Sequence, residues 1–134
     1  MALTQDRNTF QRTGETVAHP VAAATKIYAG ALVVLNAFGL AEPGTTALGK
    51  TAVGRAEAQA DNTAGVAGAI QVEVRRGVFK YNNFAADTIT RADIGKTCYV
   101  VDDETVGKTD ATGTRSPAGK VIDIDGNGCW VEIG

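Results

Sequence analysis

The fold is decided by residues 52–81, AVGRAEAQADNTAGVAGAIQVEVRRGVFKY, in which small residues and turn formers lead into an alternating segment. Within that segment the apolar residues Ile70, Val72 and Val74 alternate with polar ones, until Gly77 interrupts the pattern. Alternation with a period of two predicts β-strands that bury one face and leave the other in water. The stretch carries no nucleophile, base or ligand cluster, so it predicts a hairpin-like unit with a structural role.

The segments around this stretch also have the pattern of short strands separated by turns. Residues 26–36 predict a strand, a turn and a second strand, and the second run is apolar enough to be buried on both faces or docked at an interface. Residues 90–93 have the Thr-x-x-acid spacing of a helix N-cap and predict one short helical turn. Four further strands are predicted in the last third of the chain, at residues 98–102, 105–108, 119–124 and 129–133. The sequence therefore predicts a mainly β protein, a small barrel or sandwich with at most one or two short helices.

The first twenty-one residues lack a core-forming pattern. Their large apolar side chains, Leu3, Phe10 and Val17, are spaced too far apart for a helical stripe. We therefore predict that residues 1–21 form an extended N-terminal arm and that residues 22–134 form a single β-rich domain. An arm of this kind becomes ordered on a partner, which makes Leu3, Phe10 and Val17 the candidate anchors.

The composition predicts a thin hydrophobic core. Leu, Ile, Val and Phe make up only 30 of the 134 residues, close to the level at which a chain stops burying enough apolar area to fold. Contacts with further subunits are therefore expected to contribute to stability. Four apolar strand residues are candidates for such subunit contacts: Leu32, Val34, Phe79 and Tyr81.

The charged residues and cysteines exclude several classes of function. The net charge is −2 with both signs interspersed, so the chain lacks the basic stripe that direct nucleic-acid binding needs. Its apolar runs are too short to cross a membrane. Cys98 and Cys129 each begin an apolar strand pattern, which favours buried thiols over a disulfide. Two cysteines and the single His19 are too few for a typical zinc site, so neither a metal nor a cofactor is predicted.

Residues 44–51, GTTALGKT, match the phosphate-binding pattern GxxxxGK[ST]. A working loop of this kind follows a buried strand directly and leads into a long helix that points its N-terminus at the phosphates. Here Pro43 precedes the motif, and Gly54 follows it too soon for a crossover helix. Nucleotide binding is therefore the third hypothesis.

Two other acidic patterns have simpler interpretations than metal binding or catalysis. Residues 123–128, DIDGNG, match the opening of a calcium loop, but its twelfth position is Gly134 rather than a bidentate glutamate, so a hairpin turn is favoured. Asp102 and Asp103 are successive strand residues that point to opposite faces, which excludes a catalytic dyad. His19 lies in the arm without a nucleophile near it in the sequence. We therefore predict that the protein is not an enzyme.

The order of several short motifs resembles that of the head decoration proteins of tailed bacteriophages, including that of phage lambda. In the first half they are residues 52–54 (AVG), a polar stretch at 60–62, VxV at 72–74 and GxFxY at 77–81. The second half resembles other phage capsid cement proteins in residues 92–96 (ADIGK), 99–103 (YVVDD), 105–106, 118–121 (AGKV) and 130–134 (WVEIG). Together these motifs cover about residues 28–134, so the resemblance does not include the arm.

The resemblance implies a structural virion protein with a β-tulip-like domain that is a homotrimer. Its partner would be the major capsid protein, on the outer surface of an icosahedral head, after synthesis in the host cytoplasm. A virion-surface adhesin for host glycan or protein is the alternative, although the loops at residues 42–44 and 110–117 carry none of the aromatic residues that an adhesin would expose.

Overall fold

The computed structural model describes residues 2–12, 14–126 and 128–134. Within these residues twelve strands form a five-stranded sheet, a closed five-stranded barrel and a two-stranded ribbon. Two 3-10 turns, Ala85–Asp87 and Arg91–Asp93, are the helical elements of the described chain. The prediction of a mainly β protein with a small barrel and one or two short helices is therefore confirmed.

The strands are short and are numbered in chain order. They are β1 (Thr16–Pro20), β2 (Thr25–Ile27), β3 (Leu32–Leu35), β4 (Ala41–Pro43), β5 (Thr51–Ala56), β6 (Ala60–Asn62), β7 (Gln71–Arg75), β8 (Gly77–Asn83), β9 (Thr97–Val100), β10 (Thr105–Gly107), β11 (Pro117–Asp125) and β12 (Gly128–Ile133).

The five-stranded sheet has the order β1-β7-β5-β3-β4, and each neighbouring pair is antiparallel. Its edge strand β1 lies within the residues expected to form the arm, because Thr16 pairs with Arg75 and Pro20 with Gln71. Paired structure therefore begins at Thr16, earlier than the expected boundary at residue 22. The extended segment that projects from the domain is correspondingly shorter.

The barrel has the order β10-β8-β12-β11-β9, and its closure leaves no free sheet edge. Its strands pair antiparallel except β8 and β10, which pair in parallel at Asn82 and Thr105. Arg76 is the one residue between β7 of the sheet and β8 of the barrel. The sheet and the barrel are thus connected by a very short link at one end of both.

Strand β3 supplies side chains to both hydrophobic cores. Leu32 and Val34 belong to the barrel core, whereas Val33 between them belongs to the core of the sheet and the β2–β6 ribbon, and all three are fully buried. This confirms the interpretation of the run as a strand buried on both faces. Because one strand serves two cores, few large apolar residues suffice to fill them.

The approach of β5 to β7 requires a glycine. Gly54 has a φ of +147°, and a Cβ at this position would lie 2.2 Å from the carbonyl oxygen of Arg75. No side chain fits there without moving the backbone of β7. The first motif of the resemblance, AVG at 52–54, therefore has a packing reason in this fold.

Candidate binding surface

The pairing register places the start of β1 in one row with the start of β3. Thr16 pairs with Arg75, Arg75 pairs with Arg55, and Arg55 pairs with Leu32. We call the place where the arm joins the sheet, residues 14–16 and 76, the arm end. The turn at residues 102–104 lies by the same row, because the carbonyl oxygen of Asp103 accepts a hydrogen bond from the N–H of Leu32. The β3–β4 hairpin at residues 36–40 lies beyond the other end of β3.

The described residues of the arm, 2–12, are exposed throughout. Leu3 is 73% exposed and Phe10 is 90% exposed, so neither side chain is used by the domain. Val17, the third candidate anchor, is half-buried in β1 and pairs with Val74. The structure thus leaves Leu3 and Phe10 available for a partner and places Val17 in the sheet.

Arg76 connects the root of the arm with the last strand of the barrel. Its Nη1 donates to the carbonyl oxygen of Gly14 at 3.3 Å, and its Nη2 donates to that of Gly134 at 2.8 Å. Its backbone N–H also donates to the carbonyl oxygen of Glu15 at 2.8 Å. These contacts fix the place at which the arm leaves the domain.

A shallow apolar groove of about 340 Å³ lies beside this root. It is lined by Val17, His19, Thr51, Ala52, Val53, Arg76 and Gly134. Partial burial in this groove lowers the pKa of His19 below its usual value. The groove therefore presents an apolar floor and a largely neutral histidine at neutral pH, next to the point where the arm begins.

The hairpin between β3 and β4 exposes an aromatic residue. Phe38 is 87% exposed at the tip of this hairpin. The side-chain Oδ1 of Asn36 accepts hydrogen bonds from the N–H groups of Phe38 at 2.9 Å and Leu40 at 3.1 Å. Gly39 adopts a φ of +76° to close the turn. The hairpin thus holds the backbone of Phe38 in one conformation.

The four residues proposed as subunit contacts, Leu32, Val34, Phe79 and Tyr81, lie in the barrel core of their own chain. Each is at most 8% exposed. Their side chains therefore have almost no surface left for a partner, and the prediction is corrected: they are core residues. Phe79 and Tyr81 are buried because they lie two positions apart on β8, so both side chains point into the closed barrel.

The segment that matches the phosphate-binding pattern has a different local structure. Residues 44–50 form a loop, and strand β5 begins at Thr51 where a phosphate-binding loop would begin a helix. Nζ of Lys50 forms an ion pair with Glu42 at 2.7 Å. A lysine neutralised in this way, without a helix N-terminus beside it, lacks the geometry that binds phosphate.

The carboxylates of the calcium-like segment are directed to separate partners. Asp123 pairs with Arg91 at 3.3 Å, whereas Asp125 accepts a hydrogen bond from the indole of Trp130 at 3.0 Å and pairs with Lys80. Asn127 lies outside the described residues. Among the described residues, no group of three or more His, Cys, Asp or Glu side chains is placed to hold a metal ion.

Both cysteines are unpaired and buried in the barrel core. Burial raises the pKa of Cys98 to about 12 and that of Cys129 to about 11, so both are protonated thiols at neutral pH. The prediction of buried thiols is confirmed. In the described part of the chain, no helix is long and apolar enough to span a membrane.

Sequence reasoning did not identify Arg76, Asn36 or Phe38 as parts of a surface. For Phe38 a signal was present, because an aromatic residue between the turn formers Asn36 and Gly39 has no strand or helix face on which to be buried. Arg76 had no such signal, since its partners Gly14 and Gly134 are distant in the sequence.

Comparisons with known proteins give no match: no family model, no curated protein and no solved structure is similar to this chain.

Proposed function

We propose that this protein is a structural decoration protein of a bacteriophage capsid, which binds the outer surface of the assembled head and bridges adjacent major capsid proteins. The observation that carries the proposal is the arm end, where an extended arm with exposed Leu3 and Phe10 leaves a rigid β domain. The motif resemblance at residues 28–134 supports the same proposal. The protein would function in the virion, after synthesis in the host cytoplasm, without catalysis or a cofactor.

The arm and the domain suit a bridging role for different reasons. The exposed arm reaches far from its root: at about 3.3 Å per residue, the segment between Leu3 and Gly14 spans up to about 36 Å. The domain, in contrast, is fixed by two cores and a closed barrel. A rigid body with a long extension is able to contact two neighbouring shell subunits, and many weak contacts of this kind act together on a closed lattice.

The arm's hydrophobic anchors limit how much of it becomes ordered. Burying Leu3 and Phe10 contributes about 1.5–3 kcal/mol each. Fixing the backbone of all the residues 2–12 costs about 1–2 kcal/mol per residue, which is more than the two anchors supply. We therefore propose that the arm also gains backbone hydrogen bonds to the shell, or that only short segments around each anchor become ordered.

A homotrimer remains part of the proposal, through surfaces other than the four barrel-core residues. Val78 and Ile122, on the outside of the barrel, are 42% and 38% exposed and provide apolar area for a subunit contact. Light scattering of the purified protein is expected to give a mass near three chains, or a monomer that trimerises only on capsids. A stable dimer at all dilutions would contradict this arrangement.

The proposal is tested by binding to empty expanded heads assembled from the major capsid protein encoded in the same genome. The full chain should appear by electron microscopy as ordered density on the outer surface. A variant lacking residues 2–12 keeps β1 and the arm root, and should show lower occupancy at equal protein concentration. If the full chain does not bind the heads, the proposed function is wrong.

The second candidate, a virion-surface adhesin, is favoured by one observation. Phe38 is an exposed loop aromatic of the kind that ligand-binding surfaces use, and it lies in the β3–β4 hairpin rather than in the loops at residues 42–44 and 110–117. An adhesin would bind host cells from a position on the virion that leaves this hairpin accessible. Protection of Phe38 from solvent in decorated heads would count against this candidate.

A further inference from the structure

We infer that the free edge of β1 binds the arm of a second copy of this chain as an additional strand, with Phe10 inserted in the groove beside Val17 and His19. The inference rests on the homotrimer of the proposed function and names a contact that holds its copies together. It assigns the segment around Phe10 to a neighbouring copy and leaves Leu3 for the shell.

The first argument is the open edge of the sheet. Within the described residues, β1 pairs only with β7. The N–H of Arg76 donates to the carbonyl oxygen of Glu15 at 2.8 Å, so in this antiparallel ladder the odd-numbered residues of β1 bond to β7. Thr16 and Ala18 therefore direct their N–H and C=O groups to the open side, where no hydrogen-bond partner lies among the described residues. Unpaired backbone groups at a sheet edge fit one kind of partner, an extended strand.

The opposite edge of the same sheet is covered by its own chain. There, the N–H of Ala22 donates to the carbonyl oxygen of Ala41 in β4 at 3.0 Å, and Val21 forms a parallel bridge with Ala41. The barrel is closed and has no edge to offer. In the described chain, β1 is therefore the edge of the large sheet that is able to accept another strand.

The second argument is that the arm is a strand-length segment without partners. Residues 2–12 are exposed throughout. Their backbone forms one hydrogen bond within the described chain, from the N–H of Thr9 to the carbonyl oxygen of Arg7 at 3.1 Å. The same chain thus contains an open strand edge and an extended segment whose backbone groups are unpaired. Every copy of the protein supplies both halves of the contact.

The attachment of the arm directs it to another copy. Arg76 donates to the carbonyl oxygens of Gly14 and Glu15, which holds these two residues in line with their own β1 and away from its free edge. Phe10 lies four residues before Gly14, so at about 3.3 Å per residue it reaches up to about 13 Å from the arm end. The edge that receives it therefore belongs to an adjacent copy in the same assembly.

The third argument is that the groove gives Phe10 a place to be buried. Val17 and His19 are two positions apart on β1, so their side chains share one face of the sheet, and both line the groove of about 340 Å³. A strand paired along the free edge of β1 places alternate side chains beside this groove. Phe10, which is 90% exposed in its own chain, covers the apolar floor of the groove from one of those positions.

The charges on the other face of β1 agree with the same strand. When Phe10 faces the groove, Arg7 lies three positions away and therefore on the opposite face. On that face Ala18 pairs with Glu73, whose side chain is exposed. Neither Arg7 nor Glu73 forms an ion pair within the described residues. The guanidinium and the carboxylate therefore complement each other across the new pairing.

The test uses two variants with one added cysteine each, Thr9→Cys in the arm and Ala18→Cys at the edge. They are mixed, refolded together from urea and treated with a short bifunctional thiol reagent, both free in solution and on empty expanded heads. The native thiols Cys98 and Cys129 are buried and stay unreacted in the folded chain. Because each chain carries one exposed thiol, a covalent dimer requires contact between two copies. We expect a dimer from the mixture and none from either variant alone.

Phe10→Ser tests the anchor, and Leu3→Ser is its matched control, because both residues are exposed apolar side chains of the arm. Each is combined with Thr9→Cys and crosslinked to the Ala18→Cys chain at equal protein concentration. We expect Phe10→Ser to lower the yield of dimer at least about tenfold, since burial of an aromatic side chain contributes that much to association. Leu3→Ser should give the parent's yield. Equal yields for the two serine variants would overturn the inference.

Thr16→Pro tests the backbone pairing. Proline removes the N–H that Thr16 directs to the open side, and the first position of a strand tolerates it, whereas Thr16→Val keeps the N–H. In the Ala18→Cys chain, we expect Thr16→Pro to lower the yield of dimer at least about fivefold and Thr16→Val to leave it unchanged. Both variants should unfold near the parent's urea midpoint. A yield that the proline does not change would show that no strand is added at this edge.

The outcomes separate this inference from the proposed function. If the full chain binds heads and the mixture gives no dimer in either state, the arm exchange is wrong and the proposed function stands. If the mixture gives the dimer and the full chain does not bind heads, the exchange stands and the decoration function is wrong. If Ala18→Cys alone gives a dimer, two β1 edges pair with each other and the inference is overturned. It is also overturned if Thr16→Pro lowers head occupancy while the mixture gives no dimer, because the edge then takes a strand of the shell.

Discussion

The boundary between arm and domain lies at Thr16 in the structure, earlier than the residue 22 expected from the sequence. This difference gives a testable prediction. Deleting residues 2–12 removes only exposed residues, whereas deleting residues 2–17 also removes the arm root and the first two residues of β1. The shorter deletion should therefore leave the free energy of unfolding unchanged. The longer one should destabilise the domain, because it removes the partners of β7 and of Arg76.

The size of this effect follows from the contacts that the longer deletion removes. The N–H of Arg76 loses the carbonyl oxygen of Glu15, its guanidinium loses that of Gly14, and the β1–β7 pairing loses Thr16 and Val17. Two to three hydrogen bonds at about 1 kcal/mol each and about 1 kcal/mol for partial burial of a valine give about 3 kcal/mol. The exposed ion pair between Glu15 and Arg75 adds little to this sum.

Urea unfolding followed by circular dichroism measures both deletions against the full chain. With a urea dependence of about 1–3 kcal/mol per molar, a loss of about 3 kcal/mol lowers the midpoint by at least about 1 M. The deletion of residues 2–12 should leave the midpoint in place. Equal midpoints for the two deletions would refute the assignment of β1 to the folded domain.

Three further perturbations test the cores and one loop. The two thiols are buried in the barrel core, where burial raises their pKa to about 12 and about 11, so a thiol reagent should react only after denaturation. Gly54→Ala should cost about 2–4 kcal/mol, because its Cβ would clash with the backbone of β7, whereas Gly126→Ala, with open space around it, should cost little. Hydrogen bonds from Thr109 hold the pKa of Asp87 below its usual value; the stability they contribute is present above about pH 4 and lost as the pH falls through the folded pKa. The protection factor of the Thr109 amide, which corrects its exchange rate for the pH dependence of an unprotected amide, should therefore fall below that pH, and an unchanged protection factor would contradict the assignment.

The sequence predicted the strands that carry a clear local pattern. β7 and β8 follow the alternation around Val72 and Val74, which reports burial of one face directly. The Thr90–Asp93 spacing predicted the turn Arg91–Asp93, and a capping box is present there. The sequence alone was therefore sufficient where an element depends on residues close to it in the chain, or where one of its faces is exposed to water.

The strands that the sequence did not predict depend on distant partners. β6 pairs with β2, and β1 pairs with β7. The residues of β6 and of β1 therefore do not indicate by themselves that they form strands. β4 contains Pro43, which indicates a turn, yet a short edge strand tolerates a proline. Likewise, the apolar character of Leu32 and Val34 predicted burial but not whether their own chain or another subunit covers them.

The arm end became visible only in three dimensions. Gly14 and Arg76 are far apart in the sequence, and the antiparallel pairing of β1 with β7 is what brings them together. The exposure of the candidate anchors Leu3 and Phe10 was predictable from the sequence, because isolated apolar residues in a polar segment have no core to join. Their role on a shell stays a prediction.

The most direct test of the account is whether the protein stabilises heads that assemble without it. DNA-filled heads made without this protein and the same heads with the purified full chain added back are heated, and released DNA is measured by dye fluorescence. If the protein binds only the assembled shell, as proposed, binding should raise the temperature of DNA release, and the rise should grow with protein concentration until the sites are filled. Equal release temperatures at saturating occupancy would contradict a stabilising function.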